Sequence, residues 1–554
     1  MLKLAFFGSA VCLVFFLSPL FKPGLIAGHD TGARIIHTQL MTQALKDGEF
    51  PVRWVEGPKP GLSHPLFNYY PPMFYYLTSV FALLGLSPVT SNYLVIGLFA
   101  IISWVSMYFF AKSFTKPIGA TLAANLFLLT PYRISQIYVR AAYLEFAATS
   151  IIPIAFWGIT LIFNHKRLTG ATITALSLAS IIMLHQPTFI IIAPALLVWI
   201  FTLWLRGENQ PSYLFICLGT FLLGLLLAGT FILPLVAESS LIRTGGLSAN
   251  YFDFRQHFAS LAALIYSTWG YGISQIGNGD GMSFQVGVIN LAVILSSFGL
   301  FIYSHIAKHN QPSKHLSIFI LIAIFAMFMA TSASEPIWER FSTLGYLQYP
   351  WRYLVLTTFA SSILVASLTS LLPSKYLLVY FGIIILFNYK YLAPSTYLSR
   401  DYFSFDSPNF PTSDPLYGLE PSYFPLAVTQ TNSDIQIPRF SLLRGHAEIQ
   451  PLQDTTILQS FRAQVSDLST IAVNTHYFPG WSATIDNGQF TTTIVPGTNS
   501  VTGNMEITLL PGNHHVTLKL HNTPVRKLGN YLTLLTISGL IIIHITNRYR
   551  RISL

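Results

Sequence analysis

Long apolar runs separated by short polar loops dominate the first 392 residues, and a bilayer core needs about 20 apolar residues per helix. Twelve such runs can be read: Leu4 to Phe21, Ser91 to Ala111, Pro117 to Pro131, Leu144 to Phe163, Thr169 to Leu184, Pro187 to Leu205, Tyr213 to Val236, Val286 to His305, Leu316 to Ala333, Tyr353 to Leu372, Tyr376 to Leu392 and Leu528 to Thr546. The third and fifth are short, so their ends are the least defined. From about Ala393 to Arg526 the pattern changes to alternation. It is clearest in Ala483-Thr484-Ile485-Asp486, Glu506-Ile507-Thr508-Leu509-Leu510 and His515-Val516-Thr517-Leu518-Lys519-Leu520, punctuated by Asp486-Asn487-Gly488 and Pro511-Gly512-Asn513. Period two with Gly, Pro and Asn turns predicts a small antiparallel β-sandwich.

Charge orients these elements. With the N-terminus inside, Lys3, Lys112, Lys116, Lys166, Arg167, Arg206, Lys308, Lys314, Lys375, Arg548, Arg550 and Arg551 all fall in the cytoplasm, with Glu208 the only acid there. That is the positive-inside pattern at every inner loop. Counting Pro72 to Leu86 as a further span would export those lysines, so this run is predicted to lie as a helix in the outer interface. The first span has no small-residue cleavage site before Phe21-Lys22-Pro23 and reads as an uncleaved signal anchor. The expected architecture is a polytopic α-helical membrane protein of about twelve spans. Residues 1–392 form the transmembrane domain with a first outer loop at 22–90, residues 393–526 an extracytoplasmic β domain, and residues 527–554 a last span with a basic cytoplasmic tail.

Composition agrees with this class: 52% of residues are hydrophobic and 9% charged, with a mean hydropathy of +0.54, too apolar for a soluble chain of this length. The formal charge of +10 is scattered over short loops rather than gathered on one face, which argues against a nucleic-acid partner. Cys12 and Cys217 both lie in apolar runs, so neither a disulfide framework nor a cysteine metal site is implied. Few charges in the spans and no disulfides fit a prokaryotic plasma membrane.

Candidate chemistry gathers on the outer side. Gly28-His29-Asp30-Thr31-Gly32-Ala33-Arg34-Ile35-Ile36-His37 follows the first span. If Asp30 caps a helix starting at Thr31, Arg34 and His37 share one face, and Ile36, Leu40 and Ala44 form a membrane-facing stripe. Asp30 is then either an N-cap with Arg34 as its ion-pair partner or a reactive carboxylate. Glu145 stands at the outer end of a span, where an acid needs a partner or a function, and Arg140 is the nearest partner in sequence. His185 occupies a very short outer turn and reads more simply as a hydrogen-bond donor in helix packing. His29, His37 and His64 with Asp30 match no compact metal motif, and a divalent cation stays open. Adjacent His514 and His515 face opposite sides of a strand, which does not make a metal pair. A third outer loop, Ala237 to Gln285, carries Glu238, Arg243, Asp253, Arg255 and His257 and is long enough to act as a lid.

Several motifs together resemble a known group. Gly48-Glu49-Phe50-Pro51-Val52-Arg53-Trp54, the segment Asn68-Tyr69-Tyr70-Pro71-Pro72-Met73-Phe74-Tyr75-Tyr76 and the acid after the first span resemble the GT-C superfamily of membrane glycosyltransferases. Val139-Arg140-Ala141-Ala142-Tyr143-Leu144-Glu145, Leu347-Gln348-Tyr349-Pro350-Trp351-Arg352-Tyr353, and Tyr477-Phe478-Pro479-Gly480-Trp481-Ser482-Ala483 with Leu510-Pro511-Gly512 narrow the resemblance. They are similar to the YfhO-like family and to membrane proteins labelled "6-pyruvoyl-tetrahydropterin synthase-related", whose soluble pterin chemistry finds no support in this chain.

The resemblance implies transfer of a sugar from a polyprenyl-phosphate donor to a glycan, lipid or protein acceptor at the outer face, with Asp30 as the central catalytic group. It also implies cations for the leaving lipid phosphate, for which Arg140, Arg352 and Lys59 are candidates. Arg34, His37, His64, Glu145 and His185 complete the expected substrate-binding set. Some members of the superfamily use a metal and others do not. Two other classes compete: a lipid or glycan transporter, although the spans are poor in charge and no six-span repeat is visible, and a non-catalytic envelope protein that binds glycan through its β domain.

Overall fold

The computed structural model describes residues 2–57, 61–207, 210–243, 250–275, 281–306, 317–369, 377–405, 421–428, 438–486, 490–492, 495–496 and 503–552. Lys59, Glu208, Lys308, Lys314 and Lys375, and the Asn487-Gly488 part of one expected turn, lie outside the described residues.

Each of the twelve apolar runs holds a helix among the described residues, but they differ in how well they suit a bilayer. Among the described residues six helices are long and apolar enough to cross a membrane: Lys3–Phe21, Pro88–Lys112, Tyr143–Phe163, Arg167–Leu184, Gln186–Leu205 and Pro524–Tyr549. Two further runs are broken pairs, Pro211–Leu227 with Gly229–Ala237 bent by 76° and Ser317–Met329 with Ser332–Arg340 bent by 93°, which brings the number to eight if each pair is one span. The remaining four, Pro117–Leu128, Val288–Ile306, Leu354–Thr369 and Leu377–Asn388, are 12 to 19 residues long. Length and composition therefore give six to eight spans, and the number twelve rests on the charge argument alone.

The Met73–Leu83 helix has 11 residues, roughly 16 Å at about 1.5 Å per residue, which is too short to cross. Its Phe74, Tyr75, Thr78 and Ser79 face is buried while Val80 and Leu83 are exposed. The buried face packs on the Thr31–Lys46 helix through Thr38–Thr78 and Thr42–Ser79 hydroxyl pairs at 3.1 and 3.0 Å. The expected membrane-facing stripe is corrected by this packing. Ile36, Leu40 and Ala44 are at most 1% exposed, because the Met73–Leu83 and Pro88–Lys112 helices enclose the Thr31–Lys46 helix and Gln39 bonds Phe403 O and Phe405 N on its remaining side.

Four two-residue strands precede the two sheets of the β domain: β1 (Leu25–Ile26), β2 (Val55–Glu56), β3 (Ser63–His64) and β4 (Tyr397–Leu398). β1 pairs with β4 and β2 with β3. The domain follows as β5 (Phe440–Arg444), β6 (Ala447–Asp454), β7 (Leu458–Val465), β8 (Ser469–His476), β9 (Trp481–Ile485), β10 (Phe490–Thr492), β11 (Val495–Pro496), β12 (Asn504–Leu509) and β13 (Gly512–Leu520). Two antiparallel sheets result, β10-β9-β13-β7-β6 and β11-β12-β8-β5. The alternation read from the sequence is realised: Met505, Ile507 and Leu509 of β12 and Val516 and Leu518 of β13 are buried in one core with Phe461, Ile471 and Val473. Trp54 and Tyr69 of the first loop belong to the same core. The loop therefore completes the sandwich instead of merely touching it.

Phe461 is fully buried at the centre of β7. Phe461→Ala is expected to cost about 3–5 kcal/mol, read as accelerated amide exchange over residues 440–520 in the full-length protein while exchange in the membrane helices stays unchanged.

Candidate active site

A sharp turn after the Pro131–Tyr138 helix builds the site. Ala141 has φ +51°, a left-handed conformation that an L-residue holds only when its surroundings impose it, at a cost of about 1–2 kcal/mol. The turn brings Arg140 back onto the next helix, where its Nη2 lies 2.6 Å from Glu145 Oε2. Glu145 Oε1 accepts from Tyr132 Oη at 2.5 Å and Gln136 Nε2 at 2.9 Å. Arg352 approaches from a third segment, with Nε 3.8 Å from Glu145 Oε2. The Arg140 guanidinium lies 4.4 Å from the Trp351 ring centroid and the Arg352 guanidinium 4.8 Å from that of Tyr349. Gln348, at the turn before this segment, also has a positive φ of +62°. Removing one member of a buried ion pair leaves an uncompensated charge, so the carboxylate at position 145 holds two arginines and two helices together.

The first loop runs alongside this turn. His29 N donates to Val139 O and Asp30 N to Arg140 O, both at 3.1 Å. Gly28 permits the approach, since a Cβ there would stand 3.0 Å from Val139 O and 3.1 Å from Ala141 Cβ. Asp30 precedes the Thr31–Lys46 helix as expected, but its side chain makes no capping hydrogen bond. Its Oδ2 instead accepts from Arg34 Nη2 at 2.5 Å, and 47% of its side chain is exposed. The helical spacing of four residues sets that pair. Arg34 is buried and fully engaged: Nε donates to Ala141 O at 3.1 Å, and Nη1 to the hydroxyls of Tyr75, at 2.9 Å, and Tyr70. His37 shares Tyr75, with Nδ1 3.2 Å from its Oη, so the predicted common face of Arg34 and His37 holds.

Three guanidiniums, from Arg34, Arg140 and Arg352, thus meet two carboxylates, the half-exposed one of Asp30 and the buried one of Glu145. Such a set offers a base at its mouth and positive charge behind it. His185 stands within electrostatic range of Glu145, Arg352 and Arg140, but its Nδ1 accepts from Thr188 N at 3.3 Å and caps the Gln186–Arg206 helix. The sequence reading has His185 as a hydrogen-bond donor in helix packing; the structure has it accepting as a helix cap.

The other predicted groups disperse. His64 sits in β3 against Phe424, with ring centroids 4.8 Å apart, beside the β domain. His29 Nε2 lies 3.0 Å from Tyr271 O, and burial shifts its imidazole below the usual histidine range. His29, His37 and His64 therefore go to different surroundings, and among the described residues no group of three or more His, Cys, Asp or Glu is placed to hold a metal ion. Of the third-loop residues, Glu238 pairs with Arg526 and Arg255 with Asp253 and Glu339, whereas His257 stays beside the site, its ring 4.6 Å from that of Tyr349.

Sequence reading gives no role to Tyr70 and Tyr75, which hold Arg34, or to Tyr132 and Gln136, which hold Glu145. It also missed Arg133, which is wholly buried, donates to Thr149 Oγ1, Ser103 Oγ and Ser150 Oγ at 2.7–3.0 Å, and lies 4.4 and 4.5 Å from the Phe127 and Phe146 ring centroids. An arginine two residues beyond Pro131 in an apolar run was the available signal.

No protein-family model and no curated protein matches the chain, so the YfhO-like resemblance rests on the quoted motifs. Among solved structures the chain is similar to the arabinofuranosyltransferase AftD from Mycobacteria, at a TM-score of 0.43 and 15% identity over 71% of this chain and 26% of that one. It is similar to an Archaeoglobus fulgidus oligosaccharyltransferase at 0.40 and 11% over 78% and 61%. The third likeness is to ArnT from Cupriavidus metallidurans bound to undecaprenyl phosphate, at 0.31 and 13% over 66% and 78%. The chain spans about a quarter of the AftD chain. Likenesses of this size leave function to be argued from the residues themselves.

Glu145→Gln removes the charge that compensates Arg140. A loss of about 3–5 kcal/mol is expected, seen as a lowered melting temperature of the detergent-purified protein, and Arg352→Gln, 3.8 Å from the same carboxylate, is expected to cost less.

Proposed function

We propose that the protein is a GT-C-type glycosyltransferase that moves a sugar from a polyprenyl-phosphate-linked donor to an acceptor at the outer membrane face. The observation that carries this reading is the backbone pairing of Asp30 with Arg140 at 3.1 Å, which seats a half-exposed carboxylate beside a buried cluster of guanidiniums. Glycosyl transfer from a lipid phosphate needs both parts. A base must take the acceptor proton, and cations must receive the negative charge that gathers on the departing phosphate.

In this reading the acceptor oxygen attacks the anomeric carbon while Asp30 takes its proton. The bond from that carbon to the phosphate oxygen breaks, and the electron pair leaves with the polyprenyl phosphate. The configuration inverts because the acceptor enters opposite the leaving group. Arg140 and Arg352 face the phosphate; Arg suits it because its planar fork gives two parallel hydrogen bonds. Glu145 is a positioning residue that fixes both guanidiniums, and Arg34 does the same for Asp30. The stacked pair Tyr349 and Trp351, with centroids 4.9 Å apart, supplies an aromatic surface beside the cations. A plasma-membrane site with both termini cytoplasmic and the β domain outside puts all of these groups on the side where lipid-linked donors are used.

Asp30→Asn keeps size and shape but cannot take a proton, so a rate loss of about a hundredfold or more is expected with folding intact. Mass spectrometry of envelope glycolipids, polymers and glycoproteins checks it: the variant and a deletion should lack the same sugar. Loss in the deletion only would favour the binding or transport readings.

A further inference from the structure

Two of the motifs that carry the family resemblance lie away from Asp30 and meet each other. Trp54, from the Gly48 to Trp54 run, packs against Phe478 and Trp481 of the Tyr477 to Ala483 run, with ring centroids 5.8 and 6.0 Å apart. Beside this aromatic contact lies a polar cavity of about 130 Å³, lined by the first loop, the β7 and β13 ends and the start of the last helix. At about 30 Å³ per water it has room for roughly four waters, the size of a phosphate with one ester substituent.

Two buried arginines line it. Arg53 is 4% exposed; its Nη1 donates to Asn68 Oδ1 at 3.2 Å and its Nη2 to Thr230 O at 3.0 Å and Asn530 Oδ1 at 2.9 Å, while Nε is buried with no hydrogen-bond partner among the described residues. Arg526 is 2% exposed and donates Nε to Glu238 Oε2 at 2.9 Å. Its guanidinium lies 5.1 Å from the Phe478 ring centroid. Gly480, at φ +115°, lets His521 O and Arg526 Nη1 come close: a Cβ there would stand 2.4 and 3.2 Å from them. Phe50, on the cavity wall, is 77% exposed, and the last helix enters its apolar run a few residues beyond Arg526.

We infer that this cavity binds a phosphate group, separately from the Asp30 site. The Arg53 and Arg526 guanidiniums supply the charge and the planar donors, and the exposed Phe50 on the same wall offers a surface for acyl chains. Two sources share that chemistry, a lipid headgroup and free phosphate. Glu49 decides the pH range. It accepts from Arg53 N at 3.0 Å and Trp54 N at 3.3 Å; burial pushes its carboxyl up to about 8, against the opposing pull of those amides and of Arg53 and Arg526. Below that value it is protonated and tolerates an anion; above it the carboxylate repels one. The groups facing it are Arg53 on its own loop, Tyr76 from the Met73–Leu83 helix, His521 from the end of the β domain, Arg526 from the last helix and, through Arg526, Glu238.

Calorimetric titration of the full-length protein in detergent with inorganic phosphate and with dihexanoyl phosphatidylglycerol tests this. Wild type is expected to bind, and Ile457→Trp, which fills the cavity from the β-domain side without touching a charge, is expected to weaken binding at least tenfold at an unchanged melting temperature. The phosphatidylglycerol diester keeps its charge across pH 7 to 9, so its affinity should fall at least threefold over that range in wild type and not in Glu49→Gln. Tighter binding of the lipid than of phosphate by tenfold identifies a headgroup site; equal affinities identify a free phosphate site. Absence of binding in wild type, or binding that Ile457→Trp leaves unchanged, overturns the proposal. Because Ile457 is remote in sequence and role from Asp30, failure here leaves the transferase reading intact, and the converse holds.

Discussion

The Glu145 carboxylate is the interaction on which the rest of the candidate site depends. It is buried in an apolar helix, where a lone charge is unaffordable, and it is satisfied only because Arg140, Arg352, Tyr132 and Gln136 arrive from three different segments. Fixing Arg140 fixes the left-handed turn at Ala141, whose carbonyl in turn accepts from Arg34. Fixing Arg34 orients Asp30. A single buried acid therefore sets the geometry of the exposed one through a chain of hydrogen bonds.

The first loop distributes that order outward. Asp47 Oδ2 accepts from Thr456 N at 2.8 Å, Glu56 pairs with Arg439 at 2.7 Å, and Ser63 Oγ accepts from His476 N at 3.1 Å. Arg53 reaches Asn530 in the last helix. One loop of about seventy residues thus touches the β domain, the last helix and the Asp30 centre, and Trp54 lends its side chain to the core of the sandwich. The Val139 to Glu145 and Tyr477 to Ala483 motifs, far apart in the chain, each pack against this loop.

Much of this was legible in the sequence, for identifiable reasons. The β strands showed because period two survives wherever one face is buried, the Thr31 helix start and the Arg34–Asp30 pair because helical spacing sets them, and the Arg140–Glu145 pair because an acid at a span end needs a nearby cation. Length alone reproduces the count of twelve spans only in part, since two runs are bent near Ala228 and Ala330 and four more form helices of 12 to 19 residues. Ile36, Leu40 and Ala44 have the composition of a lipid-facing stripe, but apolarity does not distinguish lipid from protein as the covering medium. Nor could sequence spacing reveal that Tyr70 and Tyr75 turn inward to hold Arg34, or that His64 goes to the β domain, because these contacts are made by tertiary packing.

The most direct measurement is a cryo-electron microscopy map of the protein in nanodiscs with a polyprenyl phosphate. Phosphate density within hydrogen-bonding distance of Arg140 and Arg352, with Asp30 alongside and open to the outer side, is the predicted result. A bound lipid phosphate seated elsewhere, with the Arg140, Arg352 and Asp30 groups unoccupied, would contradict the assignment of these residues to a donor site.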